Sequence, residues 1–355
     1  MLGKTTQALK LVFSIARLPL QVERSSNNLN VLRSIAVTIV FVSHIIQYFT
    51  AVQKFAVQLG YAGVLLFFVH TSLVLLMSLE RQPPEQLWRR FMVRRIFRIY
   101  PLAMIAVIVY VLFNIPTISG RETLAAVQRS LAVISANLSL TQNLFSFDSI
   151  PGVLWSLPYE IQMYLFLPAA FLLVKDRKTI DLVAIWTLSV AVSLVGALLS
   201  PTGVRGLFQV FPCFMAGVIS FALPKSRTIA PWIFPLLLVA LIAIFQFSGS
   251  AMIFVQWALC LAVGLLIPKF RELKDGRIAQ TAAFIAKHSF GIYLFHEAFL
   301  VTLLPRFGAF GVIIAVPLTV LTAYFAFKFV ESPLIQAGKN LSGGKALRLS
   351  PTGES

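Results

Sequence analysis

Arg33 and His44 stand eleven positions apart inside a single apolar stretch, 31–50. On an α-helix that interval is three turns plus about 20°, so both side chains share one face, about 16–17 Å apart along the axis. Arg33 is then near one membrane surface and His44 past the midplane, an arrangement suited to receiving a group at one side and using it further across. An imidazole in lipid is costly and is usually retained for a proton or ligand task. The alternatives are that Arg33 snorkels to headgroups and that His44 hydrogen-bonds a neighbouring helix.

Further polar residues recur in the apolar runs. His70 falls within GVLLFFVHTS, either as a substrate-binding group or as a satisfied residue on a packing face. The stretch RRFMVRRIFRIYP carries Arg94, Arg95 and Arg98 beside a membrane surface, with Arg94 and Arg98 at i and i+4. Guanidinium forks hold phosphates in bidentate fashion, so this cluster is a candidate for a nucleotide-bearing donor; an equal alternative is contact with lipid headgroups. In WSLPYEIQMY, Glu160 lies at the start of a span with Tyr164 one turn later, either a chemical group or an anion favoured at a helix N-terminus. The stretch HSFGIYLFHE holds His288, Ser289, Tyr293, His296 and Glu297, with His296 near mid-bilayer. No P-loop, GxSxG or zinc-ligand spacing is present, and His44, His70 and His296 lack the spacing of a metal site.

These side chains must be positioned by helices in lipid. Of 355 residues 58% are hydrophobic and 12% charged, a balance that a water-soluble fold of this size does not show. Apolar runs long enough for a ~30 Å hydrocarbon core are placed at 31–50, 61–79, 100–118, 159–174, 180–200, 206–223, 231–248, 251–267, 284–304 and 310–330. The expectation is an all-α polytopic protein of about ten spans with both termini cytoplasmic. With that orientation 25 of the 30 basic residues lie inside, leaving Lys54, Arg121, Arg129, Arg205 and Arg306 outside, as the positive-inside rule requires. The segment 131–148 is apolar but carries Asn137, Thr141, Gln142 and Asn143. A span there would invert every later loop, so it is expected to be re-entrant or interfacial on the outer face. Trp155 and Tyr159 at the outer edge fit an interface belt.

The formal charge of +17 is distributed in short clusters between spans, which fits anionic lipid and topology and not nucleic acid. Cys213 and Cys260 are each inside a span, far apart, and indicate no disulfide framework. Three regions follow: an amphipathic cytoplasmic segment 1–30, a membrane domain 31–335, and a short cytoplasmic tail 336–355, expected to be disordered from Ser342 onward.

From Leu32 to Pro333 the chain resembles the bacterial acyltransferase 3 family of integral-membrane O-acyltransferases. The resemblance is carried by Arg33 through ten residues to His44, by GVLLFFV, RRIFRIYPL, WSLPYEIQMYLFLP and SFGIYLFH, and by Glu331-Ser332-Pro333. It implies transfer of an acyl group, commonly acetyl from acetyl-CoA, to hydroxyls of exported glycans or lipid-linked sugars at the bacterial inner membrane. It matches Arg33 and His44 to the family's first-span pair, Arg94, Arg95 and Arg98 to its arginine-rich loop, and Glu160 to its glutamate. Where many relatives read GVDLFFVLSGF this chain has GVLLFFVHTSL, with Leu65 in place of the acidic residue and His70 in a usually apolar place. No esterase-like domain is expected after the last span, so any second transfer step would use a separate glycan-assembly enzyme.

On this reading the donor phosphates rest on Arg33, Arg94, Arg95 and Arg98, and acyl-CoA is a substrate, with no permanently bound cofactor. His44 is the base and Glu160 orients the acceptor or the imidazole, while His70, Tyr164 and His296 contact substrate. Direct transfer and an acyl-histidine intermediate are equally compatible with the sequence. The rival class is a secondary transporter or flippase, which also places polar residues near the midplane; paired Gly/Pro-broken helices in two corresponding halves are not evident.

Overall fold

A computed structural model describes residues 26–49, 53–119, 122–125, 130–249 and 252–343. The expected amphipathic segment before residue 26, the end of the tail, Arg121 and Arg129 lie outside the described residues. Among the described residues each of the ten apolar segments lies largely on helix, and 100–118 leaves it after Leu112. In chain order these are α1 (Asn27–Phe49), α2 (Gln53–Glu80), α3 (Leu87–Leu112), the short α4 (Leu131–Leu138), α5 (Leu157–Tyr164), α6 (Leu167–Val174), α7 (Thr179–Leu199), α8 (Thr202–Ala222), α9 (Ile233–Gln246), α10 (Met252–Leu266), α11 (Arg277–Phe307), α12 (Ala309–Ala326) and α13 (Ser332–Leu341). A two-stranded antiparallel ribbon, β1 (Thr117–Ser119) with β2 (Glu122–Ala125), and a single parallel bridge between Ile229 and Phe270 are the extended pairings among the described residues.

Among the described residues eight helices are long and apolar enough to cross a membrane, and nine when a bent pair counts as one span. The chain is a polytopic all-α membrane protein. The bent pair is Gly152–Tyr164 with Leu167–Val174, which meet at 52°. Pro168 accounts for the break, because its ring would clash with the Tyr164 carbonyl if the helix ran through. The segment expected at 231–248 forms α9, whose 14 residues reach about 21 Å at 1.5 Å per residue, short of a full hydrocarbon core.

The order of burial follows from composition. α2 is apolar on all sides and sits at the centre, with 72% of its apolar window enclosed by protein, against 17% for the peripheral α7. α1 lies close against α2 because Gly63 presents no side chain there: a Cβ would come within 2.8 Å of the Ala36 carbonyl oxygen and of Val40. α11 packs between α1 and α12. Arg33 near the start of α1 meets Ser289 of α11, and His44 further along α1 meets His296 further along α11, so the two helices run parallel.

The stretch 131–148 does not cross. α4 has only eight residues and is capped by Ser130, whose hydroxyl oxygen accepts from the Val133 amide at 3.4 Å. The chain then turns back on its own polar side chains. Asn137, fully buried, donates through Nδ2 to the Val133 and Asp148 carbonyls at 2.9 Å and accepts from the Ile150 amide at 2.8 Å. Asn143 and Gln162 exchange amide hydrogen bonds of 3.0 and 3.2 Å. Non-helical backbone at membrane depth is tolerable when satisfied in this way, and the polar residues that make the segment a poor span are the ones that hold it folded.

The expected tail begins as structure. α13 covers Ser332–Leu341 and lies against α3, where Gly338 faces Phe97 and Arg94 Nε donates to Ser342 Oγ at 2.8 Å. Between α12 and α13 the helix widens into a π-turn over Phe327–Glu331.

Candidate active site

Two cavities occupy the bundle interior and meet at a common wall made by Val64 of α2 and Tyr293 of α11. The first, of about 250 Å³, is lined by Arg33, His70, Arg95, Arg98, Glu160 and Tyr164. Four helices supply these groups: α1, α2, α3 and α5. Arg33 Nε donates to Ser289 Oγ at 2.6 Å, and that hydroxyl in turn donates to the Ala286 carbonyl at 2.9 Å, so the guanidinium is aimed by α11. Arg95 lies 6.0 Å from the ring centre of Phe91. Tyr164 OH donates to Glu160 Oε1 one turn earlier on α5, and the cationic neighbours of that carboxylate are Arg33, Arg95 and Arg98. Arg81 also lines the cavity, and a single carboxylate among four guanidiniums leaves it with a net positive lining suited to anions.

This cavity continues into a vestibule of about 580 Å³ that shares Arg33, His70, Arg81 and Arg98 and adds Lys287 and Phe327. Lys287 Nζ stands 4.7 Å above the Phe327 ring. Arg81, in the turn just after α2, donates through Nε to the Met77 carbonyl at 3.1 Å.

The second cavity, of about 460 Å³, contains His44 and Gln47 of α1, Tyr61 of α2, and Asp148, Ser149 and Trp155 from the folded-back loop and the turn after it. Tyr61 and Trp155 lie nearly parallel, with ring centres 5.7 Å apart and planes 19° apart, forming an aromatic wall. Tyr61 OH donates to Gln256 Oε1 at 3.0 Å, which fixes the ring. The turn Gly152–Ser156 is anchored on α11: the Val153 amide donates to Glu297 Oε2 at 3.1 Å, and Tyr293 OH donates to the Val153 carbonyl at 2.6 Å. Ser156 Oγ lies 2.9 Å from Tyr293 OH, so the residue that separates the two cavities also holds this loop. Trp155, expected at a lipid interface, instead faces this cavity in part.

The sequence candidates therefore separate into three places. Arg33, His70, Arg95, Arg98, Glu160 and Tyr164 gather at the first cavity; His44 stands at the second. His296 is buried beside it, with its Nε2 2.7 Å from His44 Nδ1. Arg94 turns away to α13 through its bond to Ser342. Glu160 is grouped with the arginines and not with His44, which leaves the imidazole to be oriented by another residue. Among the described residues no group of three or more His, Cys, Asp or Glu side chains converges as metal ligands.

Sequence reasoning missed Ser289 as the partner of Arg33, and Gln47, Tyr61 and Asp148 as cavity lining. For Ser289 a signal exists: Ser289, Tyr293 and His296 fall at i, i+4 and i+7, a polar stripe on an otherwise apolar helix. For Asp148 there is none, because its position is set by the fold-back.

A family model for the acyltransferase domain matches residues 26–330, nearly all of the chain. No curated protein and no solved structure matches it. The matched region begins just before the Arg33 helix and ends just before Glu331, so both cavities are built entirely within it, and the chain belongs to the acyltransferase 3 family of membrane acyltransferases.

Proposed function

We propose that the protein transfers an acyl group, acetyl in the simplest case, from acyl-CoA to a hydroxyl of an exported glycan or lipid-linked saccharide at the bacterial inner membrane. The observation that carries this reading is the adjacency of an arginine-lined cavity and a histidine-bearing, aromatic-walled one across Val64 and Tyr293. The donor phosphates rest on Arg33, Arg95 and Arg98, with Arg81 and Lys287 at the vestibule, where charge-assisted hydrogen bonds to phosphate are strong. This end faces the cytoplasm, the side on which the clustered basic residues are retained. The pantetheine arm carries the thioester past Tyr293 toward His44.

The acceptor occupies the second cavity, its sugar face against Tyr61 and Trp155 and its hydroxyls toward Asp148 and Gln47. His44 takes the hydroxyl proton, the oxygen attacks the thioester carbonyl, and the thiolate of CoA leaves. A general base of this kind contributes ~10²–10⁴-fold. Glu160 and Tyr164 organise the guanidiniums; His70 contacts the donor.

The test is incubation of membranes holding the protein with acetyl-labelled CoA and mass spectrometry of the surface glycans. Label in an O-acetyl ester, lost in His44→Ala, is the expected result. Label that stays in the thioester, with a glycan or other polar solute moved across the bilayer, would replace this reading with that of a transporter.

A further inference from the structure

His296 has no assigned task in the reaction above, yet it is the side chain in closest polar contact with His44. It is 1% exposed. Its Nδ1 lies 3.0 Å from the Ile292 carbonyl oxygen and 2.9 Å from that of Tyr293. Carbonyl oxygens only accept, so Nδ1 must carry a proton; bare, its lone pair would point at two others. A neutral imidazole has one N–H, which leaves Nε2 of His296 bare and able only to accept.

That bare nitrogen is 2.7 Å from His44 Nδ1. The ring planes differ by 15° and the ring centres are 4.9 Å apart. This separation is close to the nitrogen–nitrogen contact plus the two ring radii, so the imidazoles meet edge to edge, with the N–H of one directed into the in-plane lone pair of the other. His44 Nδ1 is therefore the protonated nitrogen. Neutral His44 is then bare at Nε2, the nitrogen left for the cavity it lines.

We infer that His296 is a positioning residue that holds His44 in its Nδ1–H tautomer and so presents Nε2 to the acceptor hydroxyl. The inference rests on His44 being the general base. In the step, the acceptor O–H bond breaks and its proton goes to His44 Nε2. The oxygen forms a bond to the acyl carbon, the carbon–sulfur bond breaks, and the CoA thiolate takes the proton from Nε2, restoring neutral His44. Throughout, His296 Nε2 accepts from His44 Nδ1–H, a bond that strengthens while the imidazolium exists. The role is that of the group orienting the histidine in other acyl transfers, filled here by a second imidazole whose own tautomer is set by backbone.

The chain has four histidines, so nitrogen NMR of the full protein, labelled at histidine and held in lipid nanodiscs, reads each ring separately. His44 is assigned by the loss of its signals in His44→Ala. The expected spectrum has His44 protonated at Nδ1 and bare at Nε2. In His296→Leu that tautomer should give way to the Nε2–H form, and kcat for labelled acetyl transfer should fall about 10²-fold, the lower part of a general base's contribution, with both KM values within about twofold. In His296→Gln the side-chain oxygen can still accept, so the tautomer should be kept and most of kcat regained. Wild-type His44 found as the Nε2–H form, an unchanged tautomer in His296→Leu, or a changed tautomer with unaltered kcat would each overturn the inference. Failure of the base assignment is seen separately, as His44→Ala retaining turnover while wild-type His44 still shows the Nδ1–H form.

Discussion

The two cavities differ in how their walls are made. The arginine cavity is walled mainly by helix: Arg33, His70, Arg95, Arg98 and Tyr164 all project from α1, α2, α3 and α5. The histidine cavity takes half its wall from irregular backbone, with Asp148, Ser149, Gly152 and Trp155 held by side-chain amides and by Tyr293 and Glu297 of α11. A fixed array of cations suits a donor whose phosphates are the same for every acyl-CoA. A wall of loop suits an acceptor, because loop residues can be exchanged without disturbing the bundle. The common wall of Val64 and Tyr293 is where the two requirements meet.

The largest effect that tests this division lies at the chemistry. His44→Ala should insert and fold as wild type, bind donor normally, and lose about 10²–10⁴-fold in kcat. Measured with labelled acetyl-CoA, a full rate in a correctly inserted variant would show that the histidine cavity is not where transfer occurs.

On the donor side the contrast is between two arginines only part of which face the cavity. Arg33→Ala should raise the donor KM by about 10- to 150-fold, the worth of one hydrogen bond to a charged group at ~1.5–3 kcal/mol. Arg94→Ala should leave that KM within about twofold and weaken only the docking of α13, since Arg94 is bonded to Ser342. Equal effects from the two would mean that the donor is held by the surface of α3 and not by the cavity.

On the acceptor side the loop itself can be loosened. Asn137 makes three hydrogen bonds to backbone while wholly buried, so Asn137→Leu leaves backbone groups unsatisfied at about 1–3 kcal/mol each. The expected outcome is retained binding of a CoA analogue with acyl transfer largely lost. Loss of both would show that the two cavities are one folding unit.

Much of this architecture is legible in the sequence because its cause is local. Apolar length marks ten helical segments, one of them broken into α5 and α6, and the helical period puts Arg33 and His44 on one face without any tertiary information. The polar residues of 131–148 likewise argue against a span, since unsatisfied backbone and amides are costly in lipid. What could not be read is what depends on distant pairing. His44 and His296 are 252 residues apart and Arg33 and Ser289 are 256 apart, so no window of sequence contains either bond. Asp148 and Tyr61 enter the site only because Asn137 folds one loop back and α2 runs through the centre. Arg94 and Arg98 share a face of α3 by spacing, but α13 covers part of that face, which spacing alone does not reveal.

The smallest expected effect is also the one most specific to the acceptor. Trp155 faces Tyr61 at 5.7 Å and belongs to the turn anchored on Glu297 and Tyr293, so its ring is presented by the loop and not by a spanning helix. Removing it as Trp155→Ala deletes one aromatic contact worth ~0.5–1.5 kcal/mol, which corresponds to about two- to tenfold in acceptor KM. The donor KM should not move, because Trp155 lines only the histidine cavity of the two. Trp155→Phe keeps a flat apolar face and should recover most of the loss. A change confined to the donor KM would reverse the assignment of the two cavities, and a fall in kcat with both KM values unchanged would place Trp155 beside the reacting atoms and not under the sugar.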